Sequence, residues 1–169
     1  MNMLEKISEF IQNEGLIKKS DQILVAVSGG RDSIVLLMLL HKLKFPLEVA
    51  HCNYQLRGED SNADEQFVRT LCKKLNIPFH LKKLETINSA KKEGVSLQMK
   101  AREQRYQWFN ELVSKRKLTK IATAHHLDDQ LETILINLTR GTGLKGLRGM
   151  KVQRDNVIRP LLCDSSDEI

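Results

Sequence analysis

The sequence predicts an α/β fold, and three features do so. Short apolar runs of strand length recur at residues 23–27, 47–52, 79–84, 121–124 and 157–158. Between them lie longer segments whose apolar residues repeat at helical spacing, the alternation that builds a parallel sheet. The first run is apolar at every position, as in a strand covered on both faces. Together these predict a Rossmann-like parallel sheet of about five strands with helices on both faces.

Each element has its own signal. Leu4, Ile7, Phe10 and Ile11 mark an amphipathic first helix ending near Gly15. After the first strand, residues 34–40 are apolar almost all round, which predicts a deeply buried helix. Pro46 leads into the second strand, and residues 53–60 read as a polar, irregular connection. Residues 61–75 follow as a helix with Phe67, Leu71 and Leu75 on one face, and Pro78 introduces the third strand. Residues 84–95 carry no clear pattern. Ser96 is an N-cap candidate for a long helix to about Lys117, with Ala101, Trp108, Phe109, Leu112 and Val113 as its apolar stripe. After the fourth strand, residues 128–139 predict a helix with Leu131, Ile134, Leu135 and Leu138 facing inward and Gly141 past its end. Glycines crowd the stretch up to Gly149, which predicts a mobile loop before a last short strand.

Chemistry concentrates where strands give way to helices. Ser28-Gly29-Gly30-Arg31-Asp32-Ser33 joins the first strand to the second helix. Its glycines admit a close backbone approach, and a helix N-terminus favours an anion. Ser28 and Ser33 add hydroxyl donors. Asp32 would repel a phosphate unless a cation lay between them, so it points to Mg²⁺. The lysine of a Walker loop is absent.

A second cluster, from His125 to Thr133, follows the fourth strand at the same sheet edge. In a helix Asp128 and Glu132 share a face. Mg²⁺ takes one or two carboxylates plus phosphate oxygens, which makes Asp32 and Asp129 a candidate pair. Asp128 is open to a second reading as a helix N-cap. His51, Asn53 and Arg57 follow the second strand, where they are candidates for a nucleotide base and an anion, or for a solvated rim. Arg102 and Arg105 lie one helical turn apart and read either as an anion clamp or as a surface face. Arg140, Gly141, Thr142, Gly143, Lys145 and Arg148 combine hinges with positive charge, as in a closing loop, an RNA contact or a plain connection.

Composition narrows the classes. The 169 residues are 41% hydrophobic and 28% charged, with a net charge of +6, which suits a globular domain able to meet a polyanion. Cys52, Cys72 and Cys163 are widely spaced and form no CxxC pair, which excludes a disulfide framework and points to reduced thiols in the cytoplasm. Glu5, Lys6 and Glu9 exclude a signal peptide, and no apolar run approaches the roughly 18 residues of a membrane span.

SGGRDS resembles the phosphate loop of the PP-loop ATP pyrophosphatases. With HCNYQLRGE, AREQRY, TAHHLDDQLET, RGTGLKGL and IRPLL in that order, the chain is similar from about Ile23 to Leu162 to the catalytic domain of the tRNA(Ile)-lysidine synthase family. The resemblance implies an adenine nucleotide α-hydrolase-like fold and a ligase that uses ATP and Mg²⁺. Its partners would be tRNA(Ile) with a CAU anticodon and free L-lysine, with a homodimer as a possible assembly. AMP is attached to the wobble cytidine with release of pyrophosphate, and lysine then displaces AMP. On this resemblance Ser28 to Ser33, His51, Asn53 and Arg102 bind ATP. Asp32 and Asp129 hold the metal. His125, Asp128 and Glu132 act on lysine or its proton. Arg57, Arg140, Gly141, Thr142, Gly143 and Lys145 serve the tRNA or a lid.

Tyr54 and Gln55 depart from the family's HVNHGLR pattern, where a histidine and a glycine stand. Residues 165–169 read as the start of a helix. Residues 1–169 are therefore expected to be a PP-loop catalytic domain cut short at its C-terminal end, with the tRNA-binding domains outside it. By itself this domain is expected to bind ATP but to modify tRNA poorly or not at all. Two readings compete: another PP-loop tRNA enzyme such as a 2-thiolase, disfavoured by the missing cysteine pairs, and a non-catalytic ATP-binding module, disfavoured by Asp32 and the Asp128–Asp129 pair.

Overall fold

The computed structural model describes residues 2–55, 59–84, 92–142 and 148–169. In chain order the elements are α1 (Met3–Asn13), β1 (Ile23–Ala26), α2 (Arg31–Lys42), β2 (Leu47–Asn53), α3 (Glu59–Leu75), β3 (Phe79–Lys83), α4 (Leu97–Arg116), β4 (Lys120–Ala122), α5 (Leu127–Thr139), β5 (Gln153–Arg154), β6 (Val157–Ile158) and a 3₁₀ turn (Pro160–Cys163). Ser96 caps α4 as predicted, its hydroxyl accepting the Met99 N–H at 3.2 Å. Asn2 and Glu5 cap α1 reciprocally.

The sheet has six strands in the order β3-β2-β1-β4-β6-β5. All neighbours are parallel except β5, which pairs antiparallel with β6. β5 is an addition to the predicted set; its two residues are exposed and carry no apolar signal.

Alternation along the strands feeds two cores. Ile23 and Val25 join Ile7, Leu36, Leu40, Val68 and Leu161 on one face. Leu24 joins Trp108, Phe109, Leu112 and Ile121 under α4 on the other. The predicted helices on both faces are thus present.

Two helices differ from the sequence reading. On α3 the buried positions are Glu65, Val68 and Cys72, while Phe67 is 52% exposed. Leu71 of the expected face still packs at the edge of the core, but Val68 and Cys72 fill it, and Glu65 beside them is satisfied by the Asn53 amide at 3.0 Å. On α5 no residue is buried, and Leu131, Leu135 and Leu138 are each more than half exposed. Periodicity identifies a shared face but not what covers it. Residues 165–169 form a single helical turn, with the Glu168 and Ile169 N–H groups on the Ser165 carbonyl. Among the described residues no helix is long and apolar enough to cross a membrane.

Candidate functional site

β1, β2 and β4 run parallel, so their carboxyl ends share one edge. The chain moves from β1 outward to β2 and β3, then returns past β1 to β4. The β1/β4 boundary is therefore the switch point at which open α/β sheets bind ligands. The glycine loop and the HHLDDQLET segment both lie there.

The loop's shape follows from its residues. Gly29 has φ +99, and a Cβ on it would come within 2.9 Å of the Asp64 Cβ. Gly30 is the N-cap of α2 and contributes no side-chain cap. Ser33 is buried, and its hydroxyl donates to the Gly30 carbonyl at 2.8 Å and accepts the Ser28 N–H at 3.2 Å. It therefore holds the loop from beneath, whereas Ser28 and Gly30 stand exposed at the surface.

Two cavities flank this loop. One of about 480 Å³, toward β2, is lined by Ser28, Gly30, His51, Cys52, Asn53, Tyr54, Ser61 and Asp64. The other, of about 200 Å³ toward β4, is lined by Ser28, Asp32, Ser33, Arg105, Tyr106, Thr123, His125, His126 and Asp129, among others.

In the larger cavity His51 is buried and its Nδ1 bonds the Val27 carbonyl oxygen at 2.8 Å, which leaves Nε2 as the ring's second polar atom. Asn53 is a clip: its amide donates to Ser61, Asn62 and Glu65, and its oxygen accepts the Gln55 N–H. Those bonds occupy the groups with which Asn53 was expected to contact a base. Gln55 has φ +55, the left-handed region that favours glycine, which is the residue of the HVNHGLR pattern there. Burial pushes the Tyr54 phenol up to about 12 and the three thiols up to about 11, so all four stay protonated near neutrality.

The smaller cavity is organised by His126, a residue to which the sequence reading assigned no role. It is the N-cap residue of α5, and Asp129 accepts its backbone N–H at 2.8 Å. Its Nε2 stands 3.6 Å from an Asp32 carboxylate oxygen and 3.5 Å from one of Asp129. Asp128 lies 3.5 Å from Nδ1. One imidazole thus gathers the two expected metal carboxylates beside the glycine loop. Among the described residues no three His, Cys, Asp or Glu form a metal-holding group by themselves. Two carboxylates beside a phosphate loop fit Mg²⁺, which completes its shell with phosphate oxygens and water.

His125 bonds the Thr123 hydroxyl through Nδ1 at 2.9 Å. Burial first, and then Arg159, push its pKa down to about 4 against the opposing pull of Asp129, so the ring is neutral at physiological pH.

The other expected residues are placed as follows. Asp128 is not the cap; its carboxylate accepts the Ser166 N–H at 2.7 Å. Arg31 points to the same segment, donating to the Ser166 carbonyl and hydroxyl oxygens, and pairs with Asp32 at 3.2 Å. Glu132 is exposed on α5 and lines neither cavity. Arg102 lies 5.0 Å from the Tyr106 ring and lines a separate cavity, while Arg105, 5.5 Å from the same ring, faces Asp32 and Asp129. Arg140 is the C-cap of α5, and Gly141 adopts φ +66 there as predicted. Thr142 closes that end with its hydroxyl on the Asn137 carbonyl. Arg57, Gly143 and Lys145 lie outside the described residues. Gln130, not foreseen, accepts the Met150 N–H at 2.6 Å and ties α5 to the segment before β5.

The comparisons agree with this geometry. Residues 1–169 match the PP-loop domain family. A tRNA(Ile)-lysidine synthase of Bacteroides thetaiotaomicron is 45% identical over 98% of this chain and 39% of its own length. Its counterpart in Chlorobaculum tepidum is 44% identical over 100% of this chain and 53% of its own length. This chain therefore spans roughly two fifths to one half of these relatives. Among solved structures, the U34-tRNA thiolase NcsA of Methanococcus maripaludis with its [4Fe-4S] cluster superposes with a TM-score of 0.74 at 19% identity, covering 98% of this chain and 60% of that one. The NH3-dependent NAD synthetase of Campylobacter jejuni gives 0.65 at 18% identity, covering 98% and 68%. Identities this low speak for the fold alone. With the glycine loop, the switch point and the family match in agreement over the whole length, the chain belongs to the PP-loop family.

Proposed function

We propose that this chain is the ATP-binding catalytic domain of a tRNA(Ile)-lysidine synthase. One observation carries the reading: Asp32 and Asp129 meet on the His126 imidazole beside the glycine loop, in a chain 45% identical to such an enzyme.

In this reading ATP lies across the loop, its nucleoside in the larger cavity and its phosphates over Gly29, Gly30 and the N-terminus of α2. Asp32 and Asp129 would hold Mg²⁺, which would offset the negative charge of the phosphates. The wobble cytidine of a CAU anticodon enters the smaller cavity. Its oxygen on C2 attacks the α-phosphate, pyrophosphate leaves, and AMP is joined to the base. The amine of free lysine then attacks C2, and AMP leaves with that oxygen. Arg105 faces the α-phosphate side of the cavity. The neutral His125 ring orients the base by hydrogen bonding, since its depressed pKa makes it a weak proton carrier near neutrality.

The test is transfer of labelled lysine to a CAU-anticodon transcript in the presence of ATP and Mg²⁺. ATP binding is measured in parallel by calorimetry. Label in the RNA that depends on ATP is the expected result. Residues 1–169 alone are expected to bind ATP, and transfer is measured with a longer protein that carries this domain together with the rest of the length its relatives have. ATP binding without any transfer by that longer protein overturns the lysidine reading.

A further inference from the structure

A third cavity, of about 270 Å³, adjoins the one holding Asp32 and Asp129, and Tyr106 lines both. Arg102, Arg154 and Arg159 line it, with Asn110 and Asn156 offering amide hydrogen bonds. Arg159 is the unusual member. It is 5% exposed, yet no carboxylate among the described residues is within ion-pair distance of it. Its Nη1 donates to the Lys151 carbonyl at 2.6 Å, and its Nε has no hydrogen-bond partner.

A buried guanidinium without a counter-charge is unfavourable. Its neighbours add to the problem, because Arg102 and Arg154 repel it. The one acid on the rim, Asp155, is turned to solvent and stands 3.9 Å from Arg154. A planar donor fork held in this way matches an oxyanion, which would supply the missing charge and the missing acceptors together.

The cations also bridge the two cavities. Arg105 lines the one with Asp32 and Asp129, Arg102 lies over the same tyrosine ring and lines the third cavity, and there Arg159 is buried while Arg154 on β5 is exposed. A single carboxylate needs one such group. Several arginines shared between two adjoining cavities, one of them at the surface, suit a nucleic-acid backbone.

We infer that this cavity holds a backbone phosphate of the RNA strand, next to the nucleotide whose base enters the Asp32–Asp129 cavity. The inference rests on RNA being the substrate, as proposed above.

The experiment measures binding of a CAU-anticodon stem-loop RNA by fluorescence anisotropy over a series of salt concentrations. Arg154→Ala and Arg102→Ala change exposed side chains and leave the core intact. Each is expected to weaken RNA binding about three- to tenfold and to reduce the slope of log K against log salt by about 1. Arg154→Ala leaves the calorimetric Kd for ATP unchanged. Arg159→Gln, checked for folding by circular dichroism, gives the largest loss, and Arg159→Lys restores part of it. A salt slope unchanged in both Arg154→Ala and Arg102→Ala overturns the inference. So does a raised KM for lysine with an unchanged slope, which would assign the cavity to the amino-acid carboxylate. Slope changes without lysine transfer would leave this site standing while the lysidine reading failed.

Discussion

Gly29, Asp129 and His125 each act through a property of one residue. At Gly29, φ +99 and the nearby Asp64 leave no room for a methyl group. Gly29→Ala is expected to lower stability by about 1–3 kcal/mol in urea unfolding and to abolish ATP binding. Asp129 has two separable tasks, since its carboxylate accepts the His126 N–H and also faces Asp32. Asp129→Asn keeps an acceptor for the cap but removes the charge. Mg²⁺-dependent ATP turnover should fall about 10²–10³-fold with little change in Tm, as measured by pyrophosphate release and thermal unfolding. His125 has a depressed folded pKa, about 4 against 6.5, so between these values the unfolded chain binds more protons. Stability contributed by the neutral ring is complete above about pH 6.5 and is lost as pH falls toward 4. His125→Gln should therefore flatten the acid limb of the stability–pH curve in that window, by up to about 3 kcal/mol in denaturant titrations. At this scale Asp32, Asp129 and the glycines were legible because their chemistry is unusual at such positions. His126 and Arg159 were not, because a histidine or an arginine gains its meaning from what surrounds it.

Among the elements, α4 and α5 show what periodicity can and cannot say. The stripe on α4 was read correctly, and Phe109 is 2% exposed against the sheet. Phe109→Ala should cost about 3–4 kcal/mol in urea unfolding of this chain. The leucines of α5 repeat as regularly, yet Leu135 is 61% exposed. Leu135→Gln should change stability by no more than about 0.5 kcal/mol, an outcome opposite to the one its hydropathy suggests. On α3 the spacing grouped Phe67, Leu71 and Leu75 on one face, of which Leu71 packs on the core while Phe67 is exposed, and the burial of Glu65 carried no signal without its partner. That partner, Asn53, lies on β2, and its bond to Glu65 forms only in the fold.

Over the whole molecule the strand order puts both polar segments at one edge of the sheet, and the effect of a ligand should be confined there. Saturating Mg²⁺-ATP is expected to slow amide exchange about 10- to 100-fold in residues 28–34 and 124–130. Residues 117–121, at the opposite end of β4, should exchange at unchanged rates in mass-spectrometric measurements. Uniform protection would place the nucleotide elsewhere. The class of fold, the order of its elements and the position of the phosphate loop could be read from the chain because each is local: apolar runs, glycines and hydroxyls act on their own few residues. The added strand β5, the inward faces of α3 and α5, the use of Asn53 as a clip and the unpartnered Arg159 could not. Each of these depends on contacts between segments distant in sequence, and burial and charge compensation exist only once those segments have met.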